Sequence, residues 1–502
     1  MPGGDELADC EGGEKLRPRS NAKAGIGRVC DAVAPVGVAC RAFIQWLTVQ
    51  PDGHHARESV RFNGCVQGIA KLSLARLQSC SCSGCGWRVL CVLRSSTLFK
   101  TAEAVDQIDD YHGTPIPDPY RWLEDVDSPE TLDWIRSQNE LTFGFLEQLP
   151  ARQRLRQRLT ELWDFPKAQA PVKRGGRYFM FRNSGLQNQD VLFVLDSLEA
   201  EPRRLLDPNE LSEDGTVALN NWEASPDGRW LAYATSASGS DWQTWHIRSV
   251  ESGADLPDTI EWSKFSGAAW LPDASGFFYA RYAAPQAGEE FQSANYYQKL
   301  YFHRLGSAQE ADELVYERSD EKEWGFGGHV SEDGRYLILN IWQGTDVRNR
   351  VFYRDLKGST VVELLPELEA SYQFIGNDGP IFYFRTDLDA PRGRLIAIDT
   401  TNPRREQWRT IIPQASQVLE SVRLVNDQFI AVINRDAHHE IHRFALDGAW
   451  LSELSLPTLG TVMSNFESTV SGWRADQEFF FGFTSFLGPL TIYRYDFRID
   501  SW

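Results

Sequence analysis

The chain has 502 residues, more than one ordinary domain holds, and its 42% hydrophobic and 24% charged residues are those of a folded globular protein. A formal net charge of −19 argues against a nucleic-acid or anionic-membrane partner. No uncharged apolar run approaches the roughly 18 residues of a membrane-spanning helix.

In chain order, the first hundred residues stand apart from the rest. They carry 13 Lys and Arg against 8 Asp and Glu, whereas the remainder carries 38 against 62. All eight cysteines fall before residue 92. The opening "MPGGDELADCEGGEK" is acidic where a secretory signal is basic and then apolar, so a cytoplasmic location is expected. Within "CSCSGCGWRVLC", Cys80, Cys82, Cys85 and Cys91 offer thiolates, but only Cys82 and Cys85 form a C-x-x-C pair and no second pair follows. Residues 1–104 are therefore expected to be an extension without sustained periodicity, poorly ordered and without a metal.

Two helices are predicted next. "DSPETLDWIRSQNELTFGFLEQL" begins with Ser128 at the N-cap and Pro129 at the first helical position. The second spaces Leu155, Leu159 and Leu162 at i, i+4 and i+7, with arginines on the other face. "DFPKAQAP" ends it.

From Pro171 a pattern recurs: turn residues, an aromatic-rich strand, a polar connection and a second strand. "RGGRYFMF" is followed by "VLFVLDS", "PDGRWLAYAT" by "TWHIRSV", "PDASGFFYARY" by "KLYFHRL", and "EDGRYLILNIW" by "RVFYRDL". "NDGPIFYFRTD" is followed by "RLIAIDT", "NDQFIAVINRD" by "EIHRFAL", and "ADQEFFFGFTSF" by "LTIYRYDF". Seven copies at intervals of roughly 45 to 60 residues predict an all-β, seven-bladed propeller over 171–502, four strands to a blade. A sheet with two apolar faces cannot bury both alone, so blades stack until the ring closes. A two-sheet sandwich would need fewer and more uniform strands.

Five stretches carry a resemblance: "YHGTPIPDPYRWLED", "SGLQNQDVLFVLDSLEAE", "LDPNELSEDGTVALNNWEASPDG", "SASGSDW" and "FTSFLGPLTIYRYDF". From about Val105 to Trp502 the sequence resembles the prolyl oligopeptidase family, serine endopeptidases that cleave short peptides after proline. The resemblance implies a two-domain enzyme. An α/β-hydrolase domain carries a Ser-Asp-His triad, and the propeller caps it and filters substrates. Residues 105–170 resemble the short N-terminal segment of the hydrolase domain, and 171–502 the propeller. The catalytic half is expected to be absent from this chain, because no G-x-S-x-G elbow occurs and the loops at Gly239-Ser240 and Gly306-Ser307 precede no helix. No catalytic residue is assigned, and the chain is expected to be inactive alone. The implied partners are short proline-containing peptides and that hydrolase half; no cofactor is implied.

Substrate-binding candidates follow from the resemblance. The Phe of a "KFS" segment that projects into the specificity pocket matches Phe265 in "SKFSGAAW". Two further pocket positions match Phe326 in "EWGFGG" and Thr345 in "WQGTD", where the family often has Met and Cys. Gly325 looks like a one-residue insertion, and a neighbouring family Arg position is Trp342. "HHEIH" at 438–442 lacks the H-E-x-x-H spacing and lies between strand patterns, so a structural or solvated role and no metal are expected. The rival reading of the whole is a stand-alone interaction propeller. The helices at 128–163 separate the two, because a binding module has no need of them.

Overall fold

The computed structural model describes residues 101–286, 290, 294–463 and 470–502. The expectations for residues 1–100, the cysteine cluster among them, lie outside the described residues. The chain divides into two compact units, Met1–Gly144 and Phe145–Trp502. In the first, a two-stranded hairpin pairs Ile108–Tyr111 with Thr114–Pro117. Helix α1, Pro129–Glu147, starts as its sequence implies, with Ser128 Oγ accepting the Thr131 amide.

In the second unit, all seven strand pairs read from the sequence form antiparallel hairpins. The turn "SPDG", which leads into the second pair, shows how such a strand is started. Ser225 Oγ accepts the Trp230 amide and bonds Asp227, while Gly228, at φ +69°, donates to the Ser225 carbonyl. The turn Ser331–Gly334 repeats every one of these bonds in a later blade.

A strand before and a strand after each pair complete the sheets. Five blades have four strands in sequence order, and every pairing among the described residues is antiparallel. Blade 1 splits its first strand into Lys167–Ala168 and Val172–Arg174. Blade 7 departs from the expected four. Its described strands are Thr461–Met463, Glu478–Ser485 and Gly488–Asp496. Past Asp496 the chain reverses at Asp500, φ +51°, and returns through a single bridge at Ser501.

Seven apolar clusters lie between successive blades and close the circle. Phe179 and Leu192 of blade 1 meet Leu231 and Tyr233 of blade 2, and Trp245 of blade 2 meets Phe277 of blade 3. The series continues to the seventh cluster, where Tyr178 and Leu195 of blade 1 meet Phe480 of blade 7. Consecutive residues serve opposite neighbours: Phe277 packs toward blade 2 and Phe278 toward blade 4. That is the period of two of a strand buried on both faces. The closing cluster is the smallest, and polar bonds reinforce it: Tyr178 and Lys173 both donate to Glu478, at 2.5 and 2.9 Å.

Helix α2, Arg152–Trp163, belongs to this unit and buries no residue. Its Leu155, Leu159 and Leu162 are all more than half exposed, as is Trp163. Among the described residues, no helix is long and apolar enough to cross a membrane.

Candidate functional site

The segment Glu261–Gly267 links blades 2 and 3 and is held unusually firmly for a connection. Ser263 Oγ accepts from Trp245 Nε1 at 3.2 Å and donates to the Ala280 carbonyl at 2.8 Å. Ser266 Oγ accepts the Ala280 amide at 2.8 Å, and its carbonyl accepts from Asn221 Nδ2. Ser263, Lys264 and Ser266 are buried, yet Phe265 between them is 50% exposed. Its φ is +56°, and that of Trp262 is +62°. A left-handed conformation costs a bulky residue on the order of 1–2 kcal/mol, and it persists here because the flanking bonds fix the loop. The result is an aromatic side chain lifted off an anchored backbone.

The remaining anchor reaches the next blade. Gln298, almost wholly buried, donates from Nε2 to the Lys264 carbonyl at 2.8 Å, and its Oε1 accepts the Phe326 amide at 2.6 Å. One side chain therefore ties the Phe265 loop to the first strand of blade 4. Sequence reasoning passed over Gln298, since a lone glutamine before "KLYFHRL" gives no signal. It also passed over the aromatic group beside the loop. Trp242 packs edge-on against Trp262 at 5.5 Å and Tyr282 at 6.2 Å, and Lys264 Nζ lies 3.7 Å from the Trp242 ring. Burial pushes the Lys264 pKa down, opposed by the charge of Asp241.

The three sequence candidates are placed differently. Phe326 is 1% exposed, in the core shared by blades 3 and 4, edge-on to Tyr316 at 5.4 Å. Its backbone, not its ring, is joined to the Phe265 loop. Thr345 is exposed on the turn between strands Tyr336–Gln343 and Arg350–Asp355. Trp342 pairs across the sheet with Gly325, where a Cβ would stand 2.2 Å from the indole. Only glycine admits the ring there.

A second group of side chains spans the ring. The Arg474 amide, in blade 7, donates to Glu332 Oε2 of blade 4 at 2.8 Å, and its guanidinium donates to the Asn377 carbonyl of blade 5 and to Asp427, both at 2.7 Å. Such reach from blade 7 to blades 4 and 5 crosses the axis. Trp473 lies against Arg174 of blade 1 at 3.3 Å and Arg423 of blade 6 at 4.5 Å. His329 keeps a water-accessible surface although protein surrounds it, as befits a side chain lining a channel. That enclosure, with Arg423 and Arg174 nearby, pushes its pKa down. Enclosure pushes Glu332 up, against the pull of Arg423 and the Arg474 amide.

The family model described as prolyl oligopeptidase, N-terminal beta-propeller domain, matches residues 99–501. A prolyl endopeptidase of Elizabethkingia miricola is 32% identical over 408 residues, covering 81% of this chain and 56% of that protein. Prolyl oligopeptidase A of Amanita bisporigera is 31% identical, covering 80% and 57%. Among solved structures, prolyl oligopeptidase B from Galerina marginata, bound to a 35mer hydrolysis and macrocyclization substrate, is similar with a TM-score of 0.70 at 29% identity. That likeness covers 80% of this chain and 59% of the other. The chain spans little more than half the length of these relatives.

Proposed function

We propose a function for this chain on one premise: it belongs to the prolyl oligopeptidase family, through the N-terminal β-propeller domain. In this proposal the ring filters short proline-containing peptides and supplies part of their binding pocket. Cleavage after proline is carried out by an α/β-hydrolase half, to which residues 105–170 contribute. Serine attack on the prolyl carbonyl, proton transfer through histidine and oxyanion stabilisation belong to that half. The chain's own share is to position the peptide. Phe265 carries the proposal: its ring is held half-exposed at a positive φ by at least four hydrogen bonds to its neighbours' backbone and side chains. Thr345 and the Trp342 ring are further contact candidates on exposed or half-buried positions. Phe326 is proposed to act through its amide on Gln298 rather than as a lining ring.

The exposed leucines of α2 favour this over a stand-alone binding module, because an apolar stripe asks for a covering domain. A cytoplasmic location is part of the proposal, and fractionation of cells expressing the tagged chain would check it.

The test is an assay of the purified chain with a chromogenic Gly-Pro substrate and a serine-directed fluorophosphonate. It is run alone and with a hydrolase half of a family member supplied in trans. Turnover is expected only in the second case, and Phe265→Ala should weaken it there, mainly through KM. Stoichiometric labelling of the chain alone, with turnover that the reagent abolishes, would overturn the proposal.

A further inference from the structure

The outer part of blade 6 gathers ligating side chains that the packing of the ring does not require. Strand His438–Ala445 alternates its faces, so His438, Glu440 and His442 share one side. The neighbouring strand Trp450–Leu454 is antiparallel to it and sets Glu453 directly opposite His442. His442 Nε2 lies 3.1 Å from Glu440 Oε2 and 3.8 Å from Glu453 Oε2. The ligating atoms of Glu440, His442 and Glu453 all fall within 4.8 Å of one another. His438 Nε2 stands 3.8 Å from the other oxygen of Glu440, and Arg435 Nε lies 3.2 Å from that same oxygen.

We propose that Glu440, His442 and Glu453 bind a divalent transition-metal ion of the zinc type, with water as the fourth ligand. Zinc holds nitrogen and oxygen at about 2.0–2.2 Å in a tetrahedron, which separates ligand atoms by about 3.4 Å. The two separations at His442, 3.1 and 3.8 Å, bracket that value. A simple ion pair explains less. One Nε2 position serves one carboxylate well, while the second carboxylate approaches against the charge of the first. A dication between them reverses that repulsion and brings the two carboxylates and the ion to neutrality. Imidazole with carboxylates is a donor set that suits zinc, and copper or nickel less selectively. The sequence offers no hint of Glu453, because its partnership with His442 exists only through strand pairing.

The site would act as a staple. Trp450–Leu454 is the last strand of its blade, with Trp450 and Leu451 exposed, and an ion would tie this edge to its neighbour. The next residue along, His439, bonds the Val462 amide of blade 7 through Nδ1 at 3.1 Å, so the staple also steadies the junction of these blades.

The experiment uses the full chain, stripped with a chelator and dialysed against buffered zinc. The eight cysteines before residue 92 can also take zinc, so the readout is the difference between proteins. Wild type should hold one more zinc equivalent than His442→Ala or Glu453→Gln, and its zinc-dependent rise in unfolding temperature should be lost in both. Glu453 is half exposed, so its substitution leaves folding intact. Affinity should fall by more than the roughly 10- to 100-fold that loss of an outer hydrogen-bond partner costs. His442→Cys, which keeps a zinc ligand but loses the imidazole–carboxylate pair, should retain the ion. Equal zinc content in wild type and both variants, or an unchanged zinc-dependent midpoint, would overturn the site.

Discussion

Gln298→Leu should loosen the junction of blades 3 and 4 at one point. The substitution keeps most of the side-chain volume but removes both polar ends. It leaves the Lys264 carbonyl and the Phe326 amide, each buried, without their bonds of 2.8 and 2.6 Å. A buried polar group left unpaired costs about 1–3 kcal/mol, so the pair predicts a loss of about 2–4 kcal/mol after modest relaxation. Urea unfolding followed by tryptophan fluorescence should show the lower midpoint. Hydrogen exchange should show the Phe326 amide losing protection while the amides of blade 1 keep theirs. Gln298→Glu separates the two bonds. Its carboxylate still accepts from Phe326 but sets a buried negative charge against the Lys264 carbonyl, so the loss at neutral pH should be at least that of Gln298→Leu and should shrink on acidification, when a carboxyl proton can replace the missing donor. A midpoint for Gln298→Leu within about 0.5 kcal/mol of wild type, with Phe326 still protected, would refute the bridge as the anchor of the Phe265 loop.

His303 is fully buried, with Nε2 2.9 Å from Asp258 and Nδ1 2.7 Å from Asp312. Burial opposes its charge, but the bonds to Asp312 and Asp258 outweigh it and hold its pKa above the usual histidine range. With the folded pKa above the unfolded one, the stabilisation is complete below about 6.5 and is lost as pH rises through the folded value. Urea midpoints should fall across that window in wild type and flatten in His303→Asn; an equal slope in both would remove the histidine as the cause. Gly325→Ala places a methyl group 2.2 Å from the Trp342 indole and should cost about 1–3 kcal/mol. Adding Trp342→Leu should recover most of that, and strictly additive costs in the double-mutant cycle would show that the ring is not what the glycine admits.

What the sequence discloses follows from which strands are buried on both faces. "RWLAY", "GFFYA" and "EFFFGF" read as strands because their apolar side chains alternate between one neighbouring blade and the other. The first strands are quieter: Trp324–Val330 contains three glycines and, next to its end, the exposed His329. The fourth strands are mostly short, as in Glu313–Tyr316, with Asp255–Ser263 the exception, and mostly lie outside the aromatic pattern. The site divides along the same line. Phe265 is legible from its "KFS" context, but its positive φ and its tie to Gln298 are properties of backbone geometry and of a distant strand.

Phe326 shows how a matched position goes astray. Side chains alternate along a strand, so the one-residue insertion that the resemblance implies at Gly325 would exchange the two faces of everything after it. The Phe326 ring turns into the core, and the opposite face carries Gly325 and Gly327. Trp342, on the paired strand, lies across both: added Cβ atoms would stand 2.2 and 3.4 Å from its ring. The pocket position that the resemblance matches to Phe326 therefore presents no ring, and on the neighbouring strand Trp342 stands where the resemblance implies an arginine. In the function proposed above, an apolar ring then stands where the resemblance implies a positive charge. On that ground, peptides with apolar groups beside the proline should bind this chain better than acidic ones do.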